Sequence, residues 1–288
     1  MRSPATRRWA VLLSAGSFVF AGVLSGEVVF AQAPAATQAG VPPAAGAMSD
    51  AAIEKFLREA TFVKTRSAGK GVTNSVRATM TDGTLTHDVH IQTVDEQKTT
   101  GPGPRGLEVN FRDSWRYNVA AYRLDRLIGL NMVPVSVERN YRTKSAAYTW
   151  WVDDVLMDEK ARLDKKIQPQ SPGIWVETMQ MVRVFDQLIY NVDRNMGNLL
   201  ITTDWHVWAI DHTRAFRLHK TLAKPEHVAR CDRGVFERLK HLDKEVLERE
   251  LGEYLTGWER DAVLARRDEI VKIIEKAGEA GLFDRRQS

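Results

Sequence analysis

The chain has 288 residues, enough for one large domain or for two lobes sharing a substantial core. Hydrophobic residues make up 43% and charged residues 27%, an ordinary globular balance, and a net charge of +4 with interspersed signs leaves no nucleic-acid footprint. Cys231 is the one cysteine, which excludes an internal disulfide and points to a buried side chain.

The N-terminus reads MRSPATRRWAVLLSAGSFVFAGVLSGEVVFAQA: Arg2, Arg7 and Arg8, a mostly apolar run, then small residues. This layout predicts a signal peptide over residues 1–33, cut after Ala31 or Ala33, and an exported chain, periplasmic or secreted. Arg7-Arg8 before Trp9 is a partial twin-arginine match. Ser, Gly and Glu27 interrupt the run, against a permanent span; the alternative is an uncleaved anchor, and membrane contact is expected only through this segment. Residues 34–48, rich in Ala, Pro and Gly, read as a disordered linker.

Ser49 is a good N-cap for a short helix. From Phe62 the chain alternates and is rich in Thr and Val, predicting strands, with Asp82-Gly83 as a hairpin turn. Thr99 to Gly106 is Gly/Pro-rich and is expected as a loop. Ser114 to Ile128 predicts an amphipathic helix stopped at Gly129. VPVSVER and AAYTWWVDDVL predict strands, the second crossing from one lobe to the next. Trp175 to Tyr190 has helical spacing, DRNMGNLLITTDWHVWAID reads as loop, strand, turn, strand, and the rest is helical. Its charge pattern, including the pair Arg266-Arg267, fits solvated faces. The fold class is therefore α+β and bilobal: a β-rich N-lobe with one main helix over residues 49–155, and a mainly helical C-lobe over 156–288.

The chemistry concentrates in one stretch. Phosphoryl transfer needs a positioned hydroxyl, one or two Mg²⁺ ions and neutralised charge. Asp193 follows the long helix, Asn198 closes a loop before a strand, and a turn at Asp204-Trp205 brings Asp211 back beside Asn198 on a second strand about 4.8 Å away. A carboxylate on a loop accepts a hydroxyl proton, and an Asn–Asp pair offers the oxygen ligands that Mg²⁺ prefers. Arg194 and Arg214 are placed to anchor the loop or to screen phosphate charge. Taken singly, Asp193, Asn198 and Asp211 also suit ordinary Asx turns; the frame as a whole favours catalysis or nucleotide binding.

FDQLIYNVDRNMGNLLI followed by WAIDHTRAF resembles the catalytic and metal-binding segments of the atypical kinases, among them the phosphatidylinositol 3- and 4-kinases and the Golgi secretory-pathway kinases. NVAAYRLDRLIGLNMVPVSVER resembles the regulatory helix and following strand of the Golgi type. The resemblance implies a protein-kinase-like fold, ATP and Mg²⁺ as cofactors, Asp193 as the catalytic Asp with Arg194 beside it, and Asn198 and Asp211 as metal ligands. It places Gln92 where such kinases carry the phosphate-holding Lys, and Asn118 where they carry its Glu partner. A Gln–Asn pair carries no charge, and losing a cation at the phosphates lowers affinity or rate; Lys64, Lys98, Arg77 or His90 could substitute, and Glu108 or Asp113 could supply a carboxylate. Lys70, between two glycines, suits a phosphate-covering loop or a hairpin turn. The segment Val152 to Val155 is the expected hinge, offering backbone groups to the adenine edge. The expected partners are a nucleotide and a phosphate acceptor of unknown identity, protein, lipid head group or sugar. Gln92 and Asn118 favour a pseudokinase instead, and nucleotidyl transfer with ATP reversed is a third possibility resting on fold analogy.

Overall fold

The computed structural model describes residues 48–67, 75–103, 106–192 and 194–285. Helix α1 (Asp50–Glu59) begins at the expected cap, with Ser49 Oγ accepting from the Ala52 amide. Strands β1 (Thr61–Ser67), β2 (Val76–Thr81) and β3 (Thr86–Gln92) follow, all antiparallel. The β2–β3 turn has its basis in two residues: Asp82 Oδ1 accepts from the amides of Thr84 and Leu85, and Gly83 sits at φ +95°.

The Gly/Pro-rich stretch is not a loop. Strands β4 (Asp95–Gly103) and β5 (Gly106–Ser114) form a separate two-stranded hairpin that includes it. Each strand of a two-stranded ribbon has one unpaired edge, and a Pro such as Pro102 is tolerated where its missing N–H would face that edge. Gly101 is required: a Cβ there would lie 2.3 Å from Cγ of the buried Phe111 ring.

Helix α2 (Arg116–Leu127) ends at Gly129, whose φ is +67°. Strands β6 (Ser136–Tyr141) and β7 (Lys144–Trp150) complete a five-stranded antiparallel sheet ordered β1-β2-β3-β7-β6. Helices α1 and α2 cover β6 and β7, and Met80, Ile91, Val119, Leu124 and Tyr148 are buried between the layers. Val89 and Ile91 point into this core; their neighbours His90 and Gln92 therefore face the other side.

The continuous crossing strand expected through TWWVDDV breaks. Residues 151–154 leave the sheet, and strand β8 (Val155–Asp158) pairs instead with the second sheet. Asp154 adopts φ +52°, which no strand tolerates, and its carbonyl accepts from the Thr203 amide. Arg77 stacks 3.8 Å over the Trp151 ring and holds that residue against the first sheet.

The C-lobe contains α3 (Glu159–Asp164), α4 (Pro172–Leu188), a 3-10 turn at Met196–Asn198, and strands β9 (Leu199–Thr202) and β10 (Val207–Ala209) in a sheet ordered β10-β9-β8. Pro172 opens α4, where its missing N–H has no partner to lose. Next come β11 (Cys231–Asp232), α5 (Arg233–Lys240), α6 (Lys244–Leu251), α7 (Gly257–Ala277) and β12 (Leu282–Phe283), the last parallel to β11. A capping box between Thr256 and Glu259 starts α7. Cys231 is buried, and burial pushes its thiol up to about 12.

Arg266 and Arg267 do not lie on a solvated face. Arg266 is fully buried on α7, with no carboxylate partner among the described residues; it donates to the carbonyls of Leu188 (2.8 Å), Arg217 (3.0 Å) and His219. Arg267 donates to the carbonyls of Leu239 and Leu242. Guanidinium groups satisfy bare carbonyls as readily as carboxylates do, so charge pattern alone misassigns them.

Candidate active site

The β9–β10 hairpin is the frame of the site. Leu199 pairs with Ala209, and the Ile210 amide donates to the Asn198 carbonyl at 3.0 Å. That register sets Asn198 and Asp211 side by side, and Asn198 Nδ2 donates to Asp211 Oδ2 at 3.2 Å. Thr213 Oγ1 donates to the other oxygen, Oδ1, at 3.2 Å, so both carboxylate oxygens are oriented. Asp211 is exposed and adopts φ +58°, a left-handed conformation that Asp tolerates better than most side chains. Tyr190 (φ +54°) and Phe216 (φ +57°) adopt the same region nearby, where bulky residues are uncommon. Such conformations persist only where surrounding contacts impose them; the Phe216 amide donates to the Ile189 carbonyl at 2.6 Å.

Arg194 ties three segments together. Its Nε and Nη2 reach the carboxylate of Asp186 on α4 (2.7 Å at the shortest), its Nη1 donates to the Ile210 carbonyl (2.8 Å), and Nη2 donates to His212 Nε2 (3.0 Å). Asn191 Nδ2 supports the same carboxylate. The side chains of Arg194 and Asp186 are 7% and 10% exposed, so their attraction is little screened. His212 is buried, and burial, assisted by the Arg194 charge, holds its imidazole well below its ordinary value. It is therefore neutral and accepts from Arg194.

Asn118 joins the same network from the other lobe: its Oδ1 accepts from the His212 amide at 2.8 Å. Helix α2 is thus fixed to the residue after Asp211 by a neutral bond. Gln92 is buried and turns Oε1 to the amides of Thr93 and Val94. Two groups face Asp211 from the N-lobe side. His90 on β3 is pushed below its ordinary pKa by burial and pulled partly back by the Asp211 charge. Asp113, at the end of β5, is pushed up by burial and by the negative charge of Asp211, while its bond with Thr213 opposes the shift.

The segment 151–154 carries Val152, which is buried, and leads to Val155, which is bound into the β8–β9 pairing opposite Thr202. Lys70 and Asp193 lie outside the described residues. Asp186 and His212 enter the site without having been singled out for these roles; Asp113, expected as a substitute carboxylate, faces Asp211. An Asp in the otherwise apolar run around Phe185 is the signal that marks Asp186.

Beside the loop 191–196 opens a cavity of about 1470 Å³, walled by α3, α4, the β4–β5 hairpin, the start of α7 and the segment 215–227. Its carboxylates are engaged. Arg214 and Arg217 both bind Glu108 (2.9 and 2.5 Å), Arg162 grips Glu159, Arg194 grips Asp186, and Tyr117 donates to Glu259. Aromatic rings of Tyr117, Trp175, Tyr190 and Trp258 line it as well.

The hard-oxygen donor set Asn198–Asp211 fits Mg²⁺ or a similar divalent ion, which keeps several waters and takes one or two carboxylates plus phosphate oxygens. Among the described residues no group of three or more His, Cys, Asp or Glu could hold a metal alone.

An open β-sheet lobe, a helix tied to the segment after a hairpin Asp, and a helical lobe behind define an atypical-kinase-like fold. Solved structures share it. Hydra Fam20 with sugar superposes with a TM-score of 0.60 at 15% identity, over 82% of this chain and 93% of that one. The Golgi casein kinase gives 0.54 at 13% identity, over 81% and 78%. The same kinase with Mn/ADP bound gives 0.55 at 12% identity, over 83% and 80%. No protein-family model and no curated protein matches the chain. Among the described residues no helix is long and apolar enough to cross a membrane.

Proposed function

We propose that the chain is a phosphotransferase of the atypical kinase type. It binds ATP with Mg²⁺ between the lobes and transfers the terminal phosphoryl group to an acceptor hydroxyl. The observation that carries the reading is the Asn198–Asp211 contact at 3.2 Å, held in place by Arg194. The Mn and ADP in the Golgi casein kinase structure support a nucleotide with a divalent metal. Asn198 and Asp211 would hold the metal, which when bound supplies charge neutralisation at the phosphates. Asp193 would accept the hydroxyl proton. Arg194 positions Asp211 through the Ile210 carbonyl. His90 takes the place on the β3 inner face that a cation would otherwise fill. The cavity flanking residues 191–196 would receive the acceptor, and its aromatic lining suits a sugar as well as a peptide.

The proposed organisation is a signal peptide at 1–33, a linker at 34–48, an N-lobe at 49–155 and a C-lobe at 156–288, with export as the destination. A second reading, nucleotide binding without turnover, is favoured by Asn118, whose oxygen is engaged by the His212 amide and carries no charge to a Lys.

The test is phosphate release or transfer from γ-labelled ATP with Mg²⁺, comparing wild type with Asp193→Ala and Asp211→Ala. Labelling lost in both variants supports the enzyme. Equal signals in all three refute it, and a nucleotide-induced rise in melting temperature without turnover supports the second reading. α-labelled ATP in parallel detects nucleotidyl transfer.

A further inference from the structure

The large apolar side chains that the chain exposes are not scattered. Among the described residues most of them line the large cavity beside the loop 191–196. Leu107 (77% exposed) and Val109 (66%) stand on the β4–β5 hairpin and Trp258 (72%) on the first turn of α7. Leu163 on α3, Val176 on α4 and Met196 before β9 close the ring. Scattered single exposures are normal, but six such side chains on five separate elements mark a surface that meets something apolar.

Charge says what. The cavity's carboxylates are matched by Arg or Tyr, as described above. Arg183 and Lys224 are exposed and make no ion pair among the described residues. They share one stripe of α4: the Lys224 amide donates to Gln187 Oε1, and Gln180 Nε2 donates to the His227 carbonyl, with Arg183 between those two positions on the helix face. His219 and His227 also line the cavity. Unpaired cations beside a ring of protruding Leu, Val, Met and Trp complement a surface that is anionic outside and apolar beneath, and Trp is the side chain best suited to that boundary.

We propose that the rim of this cavity docks on an anionic lipid bilayer, with Trp258, Leu107 and Val109 entering the interface and Arg183 and Lys224 meeting the head groups. The docking is independent of nucleotide and would bring the cavity to acceptors held at a membrane surface.

The full chain carries its N-terminal apolar run into every assay, so the readout must belong to the rim. Tryptophan emission is measured with vesicles containing brominated phosphatidylcholine, alone or mixed with phosphatidylglycerol. The expected result is quenching that is larger in the mixed vesicles, falls with salt, and is reduced in Trp258→Phe. Leu107→Ser with Val109→Ser reduces the Trp258 component, and Arg183→Gln with Lys224→Gln weakens the phosphatidylglycerol-dependent part roughly tenfold. Quenching equal in wild type and Trp258→Phe overturns the proposal. So does quenching indifferent to Arg183 and Lys224, and so does capture of a polypeptide at this rim with no vesicle effect. Asp211→Ala separates this from the phosphotransfer reading: it is expected to abolish transfer and to leave the quenching unchanged.

Discussion

Arg194 is where the architecture can be tested most sharply. Its guanidinium makes three contacts shorter than 3.3 Å with the Asp186 carboxylate, one with the Ile210 carbonyl and one with His212. Arg194→Met removes them all. It leaves Asp186, 10% exposed, with Asn191 as its one remaining side-chain partner among the described residues. Breaking a buried ion pair from one side costs about 3–5 kcal/mol, and the orphaned Ile210 carbonyl adds about 1 kcal/mol. That is a large share of a folding free energy of about 5–15 kcal/mol. Asp186→Leu alone strands the cation and costs about the same. The double variant strands neither charge, so it should be less destabilised than the sum of the two by roughly 2–3 kcal/mol. Urea unfolding of the four proteins completes the cycle. A loss below about 1 kcal/mol for Arg194→Met, or additivity within about 0.5 kcal/mol, would refute the claim that this pair holds the hairpin to α4.

Four further outcomes are expected. Asp211→Ala should abolish the metal-dependent rise in melting temperature with ATP and cut transfer by at least about 100-fold, while Asn198→Ala weakens both; calorimetry and γ-label release measure them. Gly101→Ala should destabilise by about 1–3 kcal/mol because the added methyl meets Phe111, and an unchanged denaturation midpoint would count against the hairpin packing. His90, His206 and His212 are all held below the ordinary value of 6.5, burial being the leading cause for each. The unfolded chain takes up these protons first as pH falls, so the stability they provide is complete above pH 6.5 and declines below it, by up to about 1.4 kcal/mol per pH unit per histidine. His212→Asn should flatten that decline in a series of melting curves from pH 8 to about pH 5. Arg266→Met should cost roughly 3 kcal/mol by leaving three main-chain carbonyls without donors, read as a lower urea midpoint.

The sequence carried the frame of the site because its logic is local. Asn198 and Asp211 are thirteen residues apart on two strands joined by a turn, and hairpin register brings them together without help from elsewhere. Helix α2 and its stop at Gly129 were legible for the same reason. What was not legible depends on distant packing. The β4–β5 hairpin looks like a loop because Gly and Pro signal turns, and only Phe111 explains Gly101. Asn118 occupies the position expected for a charged partner, but it meets a main-chain amide ninety-four residues away. Arg266 sits in a run of alternating charge that reads as solvated, yet its partners are carbonyls, which leave no trace in a sequence.

Arg266 also orders how this part of the fold can close. It arrives on α7, the last long helix of the chain, and bonds the carbonyls of Leu188, Arg217 and His219, which bracket the loop leading to Arg194 and the hairpin. During synthesis the N-terminal sheet can assemble first, but the loop and hairpin behind it stay unpinned until α7 has emerged. A chain cut before α7 would leave those three carbonyls without their shared donor.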